Sequence, residues 1–106
     1  MTDEVEDLYM RLLSFAEDLG EDVGIKFLKH YVVLTRIKNF TSIQPMKNFL
    51  KIWVNLNPGD VTLEEGFSRD VSNIGHHSTG NIEIDIHDED ELKKAMELIT
   101  LAYQKN

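Results

Sequence analysis

The chain has 106 residues, a formal net charge of −8 and no cysteine. Two domains of half this length would each be too small to bury a useful core, so we expect a single domain over residues 1–106. The absence of cysteine excludes disulfides, thiolate zinc sites and thiol nucleophiles. The negative charge opposes non-specific binding to nucleic acid, because phosphate groups would be repelled.

The sequence favours a cytoplasmic protein. Residues 3–7 are rich in acid, whereas signal and transit peptides begin with basic residues. No apolar run approaches the ~20 residues that span a bilayer. We therefore expect a soluble protein that makes no membrane contact.

Two segments have the apolar spacing of amphipathic helices. The first runs from Asp3 to Leu19, with Asp3 as the expected N-cap and Gly20 as the stop signal. The second follows Asp88, the expected N-cap, with Glu91 at the capping-box position. Its apolar stripe consists of Leu92, Ala95, Met96, Ile99, Ala102 and Tyr103.

The middle of the chain is rich in β-forming residues. Two runs, 31–37 and 39–44, are separated by a turn at Lys38-Asn39, and Pro45 ends the second run. In residues 49–56 every second residue is aliphatic, from Leu50 to Leu56, and Ile82, Ile84 and Ile86 define a further strand. For the remaining segments, we expect a short helical turn within residues 21–29 and a short helix within residues 61–68.

These elements predict an α+β fold with two layers. The N- and C-terminal helices would pack on one face of an antiparallel sheet of about four strands. Leu50, Ile52 and Val54 would then face the helices, which places Phe49 and Trp53 on the other face. Aromatic residues there need cover from loops, a second subunit or a partner, so we predict an interaction face and leave a homodimer open.

The polar segment 69–80 is the main candidate for a functional site. It holds His76-His77 together with Asp70, Ser72 and Ser78, but adjacent residues on a strand point to opposite faces. It contains no His-x-x-x-His spacing and no Gly-x-Ser-x-Gly motif. We therefore expect no metal, no cofactor and no catalytic residues, and keep a hydrolytic or metal-assisted enzyme as a disfavoured alternative.

The glycines of this segment have two interpretations. Gly75 and Gly80 could let backbone N–H groups converge on an anion, although the segment matches neither the P-loop nor the dinucleotide fingerprint. The favoured interpretation is that both residues supply positive φ for a tight loop that enters the next strand.

Charge distribution keeps a nucleic-acid partner open as an alternative. Residues 26–51 contain lysine and arginine but no acid. Basic and aromatic side chains together can hold phosphates and stack bases. The members of this constellation are Arg36, Lys38, Lys47 and Lys51 with Tyr31, Phe40 and Trp53.

Taken in order, a set of short motifs resembles a bacterial family of unknown function that is labelled "predicted transport protein". The motifs are Asp22-Val23, Tyr31, Asn39-Phe40, Ile43-x-Pro45, Leu50-x-Ile52, Arg69-Asp70-Val71-Ser72-x-Ile74-Gly75-His76 and Thr79-Gly80-x-Ile82-Glu83-Ile84. The resemblance covers about Leu8 to Tyr103. It implies a small module that occurs alone or C-terminal to endonuclease-like or ParB-like domains. The family has an aromatic residue where this chain has His77.

The resemblance also implies a set of shared polar residues, which we take as candidate ligand-binding residues: Asn39, Lys47, Arg69, Asp70, Ser72 and His76. The leading hypothesis is a non-catalytic binding or interaction module that uses the 69–80 loop. Its partner would be a protein or a small anionic ligand. The alternative is a nucleic-acid-associated accessory module of a nuclease or restriction-type system, which the net charge disfavours.

Overall fold

The computed structural model describes residues 1–74 and 80–106, and in these residues two helices pack on one face of a six-stranded antiparallel sheet. The strand order across the sheet is β1-β2-β3-β4-β6-β5. This confirms the α+β class. In chain order the elements are α1 (Asp3–Glu17), β1 (Gly24–Phe27), β2 (Val32–Thr35), β3 (Asn39–Pro45), β4 (Leu50–Val54), a 3₁₀ turn (Pro58–Asp60), β5 (Ser68–Asp70), β6 (Ile82–Ile86) and α2 (Glu89–Lys105).

The core lies between the helices and the sheet. Strands β4 and β6 are paired in register, with Ile52 opposite Ile84 and Val54 opposite Ile82. All four side chains are fully buried. Period-2 alternation in both strands puts these residues on the same face, which the helices cover. The helices contribute Val5, Leu8, Leu12, Ala16, Leu92, Ala95, Ile99 and Ala102 to the same cluster.

Side chains of the preceding residues cap both helices. The hydroxyl of Thr2 accepts a hydrogen bond from the backbone N–H of Val5 at 3.2 Å, so Thr2 and not Asp3 is the N-cap of α1. Asp3 is the first helical residue, where its charge suits the helix dipole. Asp88 caps α2 as predicted, because its carboxylate accepts from the N–H of Glu91 at 2.8 Å.

The prediction of about four strands is imprecise, because both edge strands were missed. Residues 21–29 do not form a helical turn: β1 pairs with β2 from Gly24 opposite Thr35 to Phe27 opposite Val32. Residues 61–68 do not form a helix either. Gly66 there has φ +82°, which an α-helix does not accommodate, and a tight turn leads into β5.

The edge hairpin β1–β2 is tied to the end of α2 by a cluster of polar contacts. Arg36 donates from Nε to Asp22 Oδ2 at 2.8 Å and from Nη1 to the carbonyl of Tyr103 at 3.0 Å. The Tyr103 hydroxyl donates to Asp22 Oδ1 at 2.7 Å. Tyr103 and Arg36 both lower the pKa of Asp22, with Tyr103 as the larger cause. The carboxylate of Asp22 therefore stays ionised against Arg36.

Gly80 joins the loop to β6 in a conformation that favours glycine. Its φ is +130°, and a Cβ atom at this position would lie 2.9 Å from the backbone carbon of Trp53 and the backbone nitrogen of Val54. The sequence prediction of positive φ is thus confirmed for Gly80. Gly75 lies outside the described residues.

We expect Gly80→Ala to lower the free energy of unfolding by about 2–4 kcal/mol, because backbone strain adds to a clash with the backbone of β4. The matched control is Gly66→Ala, which has positive φ but open space around it. That variant should lose only about 1 kcal/mol. Urea denaturation of both variants checks the prediction, and equal losses would contradict it.

Candidate functional site

The sheet face that points away from the helices, here called the open face, gathers charged residues from three strands. The register places Trp53 opposite Glu83 and Glu83 opposite Arg69. One row further along, Lys51 of β4 lies opposite Asp85 of β6. Side chains directly opposite one another in antiparallel strands lie close enough to interact.

Glu83 is the centre of this group. Its Oε1 atom accepts hydrogen bonds from Lys51 Nζ at 3.0 Å and from Arg69 Nε at 2.9 Å. Its Oε2 atom accepts from Trp53 Nε1 at 3.2 Å. Lys51 Nζ also lies 3.1 Å from Asp85 Oδ1, an ion-pair contact without the angles of a hydrogen bond. Glu83 with Lys51, Arg69 and Trp53 is called the Glu83 network below.

The network keeps its members charged. Burial would raise the pKa of Glu83, but the hydrogen bonds from Arg69 and Lys51 outweigh it and hold the pKa below its usual value of 4.5. Burial would likewise lower the pKa of Lys51, but contacts with Glu83 and Asp85 raise it above 10.5. Neither group therefore changes protonation near pH 7, where a general acid or base must work.

Arg69 is the exposed member of the network. Its side chain is 60% exposed, and its Nε atom is held by Glu83. Within residues 1–74 and 80–106, its two terminal nitrogens have no hydrogen-bond acceptor. A small cavity of about 100 Å³ adjoins the side chain. The cavity is lined by Gly66, Phe67, Ser68, Arg69, Glu83 and Asp85.

Asp70 and Ser72 form a local turn beside Arg69. Asp70 Oδ1 accepts from the backbone N–H of Ser72 at 2.8 Å and from its hydroxyl at 2.5 Å. The hydroxyl is the larger cause, and the N–H the second, of a lowered pKa for Asp70. The bond to the N–H two residues on is an Asx turn, which orients the chain as it leaves β5.

The structure brings some of the predicted ligand-binding residues together and separates others. Arg69, Asp70 and Ser72 lie together because they belong to one short segment. Asn39 lies apart from them, because it begins β3, which is three strands away from β5. Lys47 follows β3 in the turn at the opposite end of that strand, and its side chain is exposed. His76 lies outside the described residues, as does His77.

The two predicted interaction-face aromatics differ in exposure. Trp53 is only 5% exposed and donates to Glu83, so it offers little surface to a partner. Phe49 is half-buried and stacks on His87, with ring centroids 5.2 Å apart. Lys51 Nζ lies 5.5 Å from the Phe49 ring centroid. An interface at these two residues stays a prediction.

Sequence reasoning did not place Lys51 and Glu83 in the same site as Arg69. The available signal was the alternation of β4 and β6, which places Lys51 with Trp53 and Glu83 with Asp85 away from the isoleucines. Matching these opposite charges requires the register of the two strands, which the alternation alone does not provide.

In residues 1–74 and 80–106, no group of three or more His, Asp or Glu side chains is arranged to hold a metal ion. Over the same ranges, neither helix combines the length and the apolar character needed to cross a membrane.

Fold and site together define a small α+β domain with a charged open face. The chain belongs to the family described as "Domain of unknown function (DUF5655)", whose model matches residues 2–106. It is also similar to an uncharacterized protein of Haemophilus influenzae, with 32% identity over 101 residues. That match covers 95% of this chain and 33% of the relative, so the chain spans about a third of the relative's length. No solved structure matches.

Family membership confirms the part of the resemblance that concerns a domain of unknown function. The transport label and the nuclease-like or ParB-like neighbours stay predictions.

We expect Glu83→Gln to lower the free energy of unfolding at pH 7 by about 1–3 kcal/mol. The amide removes the negative charge that offsets the charges of Lys51 and Arg69. Its NH₂ group is a donor and would face another donor at a position where the carboxylate oxygen accepts a hydrogen bond. Urea denaturation measures the loss. Glu97→Gln is the control, because Glu97 is exposed on α2 and has no ion-pair partner among the described residues.

The loss should also depend on pH. Because the folded-state pKa of Glu83 is lowered, its stabilising contribution is fully present above about pH 4.5 and disappears as pH falls through the folded value. The difference between wild type and Glu83→Gln should therefore shrink between about pH 7 and about pH 3. An equal difference at both values would contradict the assignment.

Proposed function

We propose that this domain is a non-catalytic binding module in which Arg69, with the adjoining 69–80 segment, contacts an anionic group on a protein or a small ligand. One observation carries the proposal. The Arg69 guanidinium is anchored through Nε to Glu83, while its exposed side chain leaves both terminal nitrogens without an acceptor in the described part of the chain.

Anchoring of this kind favours recognition of an anion. A guanidinium presents its donors in a planar fork that matches the two oxygens of a carboxylate or phosphate. Glu83 fixes the Nε side of the fork and is itself held by Lys51 and Trp53. A side chain that is already ordered loses less conformational entropy on binding.

The charges around Arg69 support binding over catalysis. The pKa of Glu83 and that of Asp70 are lowered, and the pKa of Lys51 is raised. Shifts in these directions move all three groups away from neutral pH. The short hydrogen bond from the Ser72 hydroxyl to Asp70 is the contact that a hydrolytic enzyme would use. The same bond is explained equally well by an ionised Asp70 that stabilises the local turn.

The nucleic-acid alternative has less support. Among the cations of the acid-free segment 26–51, Arg36 is paired with Asp22, and Lys51 is paired with Glu83 and Asp85. Lys38 and Lys47 lie in the turns at opposite ends of β3. These four cations do not supply the continuous basic groove along which a phosphate backbone binds.

We expect inorganic phosphate, a glutamate-rich peptide or a short oligothymidylate to shift the Nε–Hε resonance of Arg69 and the amides of residues 66–72 in an NMR titration. The probe that binds identifies the class of anion. Arg69→Ala should weaken this binding by at least about tenfold, and Arg69→Lys should not restore it, because a lysine lacks the fork.

Arg11→Ala is the matched control for this experiment. Arg11 is a second exposed arginine held by a glutamate, with Nη2 3.0 Å from Glu89 Oε1, but it lies on α1, away from β5. This variant should bind like wild type. Wild-type affinity in Arg69→Ala, or no response from Arg69 to any of the three probes at millimolar concentration, would refute the proposal.

A further inference from the structure

Strand β1 forms one edge of the sheet, opposite to the edge formed by β5. The N–H of Leu28 donates to the carbonyl of Tyr31 at 2.9 Å. Hydrogen-bonded pairs alternate in an antiparallel ladder, so Lys26 and Gly24 direct their backbone groups toward β2. The backbone groups of Ile25 and Phe27 point outward, and no described residue outside β2 pairs with this strand.

The side chains around this edge combine apolar and basic character. Phe27 is 68% exposed and Leu28 is 49% exposed. Lys26 and Lys29 are exposed as well, and neither contacts a carboxylate in the described residues. A hydrophobic ring this exposed on an edge strand is unusual, because natural edges are generally blunted or covered.

We propose that the β1 edge binds an extended peptide segment that joins the sheet as a further strand and alternates acidic with apolar residues. Main-chain hydrogen bonds to Ile25 and Phe27 would supply the pairing, and the flanking side chains would supply selectivity. The alternation in the peptide matches the alternation in β1, where Lys26 projects on the open face and Phe27 on the helix side. Acids of the added strand face Lys26, and its apolar residues lie beside Phe27.

Charge distinguishes this partner from others. The protein carries a net charge of −8, but charges more than about 8 Å apart are largely screened at physiological salt, so the local lysines dominate at the edge. A second copy of the chain is a poorer occupant, because antiparallel pairing of β1 with itself about Lys26 would place Lys26 directly opposite the same lysine of the other copy. Edge lysines that repel apolar strands attract acidic ones.

The test uses the 106-residue chain and a fluorescent, acetylated peptide of alternating glutamate and valine at physiological salt. NMR amide shifts should gather in residues 24–29. A second peptide with lysine in place of glutamate should bind at least about tenfold more weakly.

Phe27→Pro tests the backbone pairing. The substitution removes an outward N–H and no bond to β2, so an edge strand tolerates it, and circular dichroism confirms the fold. Binding of the acidic peptide at residues 24–29 should be lost. The control, Phe27→Ser, removes the ring but keeps the N–H, and should retain part of the affinity. Arg69→Ala, at the other edge, should bind this peptide at β1 like wild type, which separates this inference from the proposed function.

Three results would overturn the proposal: unchanged binding at residues 24–29 in Phe27→Pro, equal affinity for the two peptides, or shifts that gather at residues 66–72 with none at residues 24–29. Concentration-dependent dimerisation of the chain alone, with shifts in β1, would overturn it in favour of a second copy.

Discussion

The open face depends on one interaction, the acceptance of three donors by the carboxylate of Glu83. A carboxylate that is only 11% exposed is costly to desolvate unless charged and hydrogen-bonded groups offset the loss of water. Lys51 and Trp53 from β4 and Arg69 from β5 meet this need. A slip of one residue in β6 would turn Glu83 toward the isoleucine core. The ion network and the register of three strands therefore support each other.

The two edges of the sheet present different chemistry. At the β5 edge, the half-buried Glu83 holds Arg69 so that a guanidinium faces solvent. At the β1 edge, backbone groups that no described residue outside β2 pairs with lie beside Phe27 and two lysines. Both features lie outside the helix-covered core, so a partner could bind at either edge without disturbing it. The chain spans about a third of the length of its Haemophilus influenzae relative.

The sequence predicts the parts of this structure that depend on local periodicity. Both helices and the strands β4 and β6 follow from apolar spacing, and the cap at Asp88 follows from the capping-box pattern. Strand β1 was missed because four residues with a leading Gly24 carry too little periodicity, and pairing with β2 decides their conformation. The polar 69–80 segment was found from its residue types, and Arg69 was added as a candidate through motif resemblance. The contact between Arg69 and Glu83 could not be found in this way, because it exists only across paired strands.

The most direct measurement is the pKa of Glu83, followed by NMR of its side-chain carboxyl carbon in wild type and in Arg69→Ala. The account predicts a wild-type pKa below the usual 4.5, and an increase when Arg69 is removed, because burial then opposes the charge with fewer donors to offset it. A carboxylate that titrates at its usual value in both proteins would mean that Glu83 does not hold Arg69. The binding surface proposed at the β5 edge would then lose its basis.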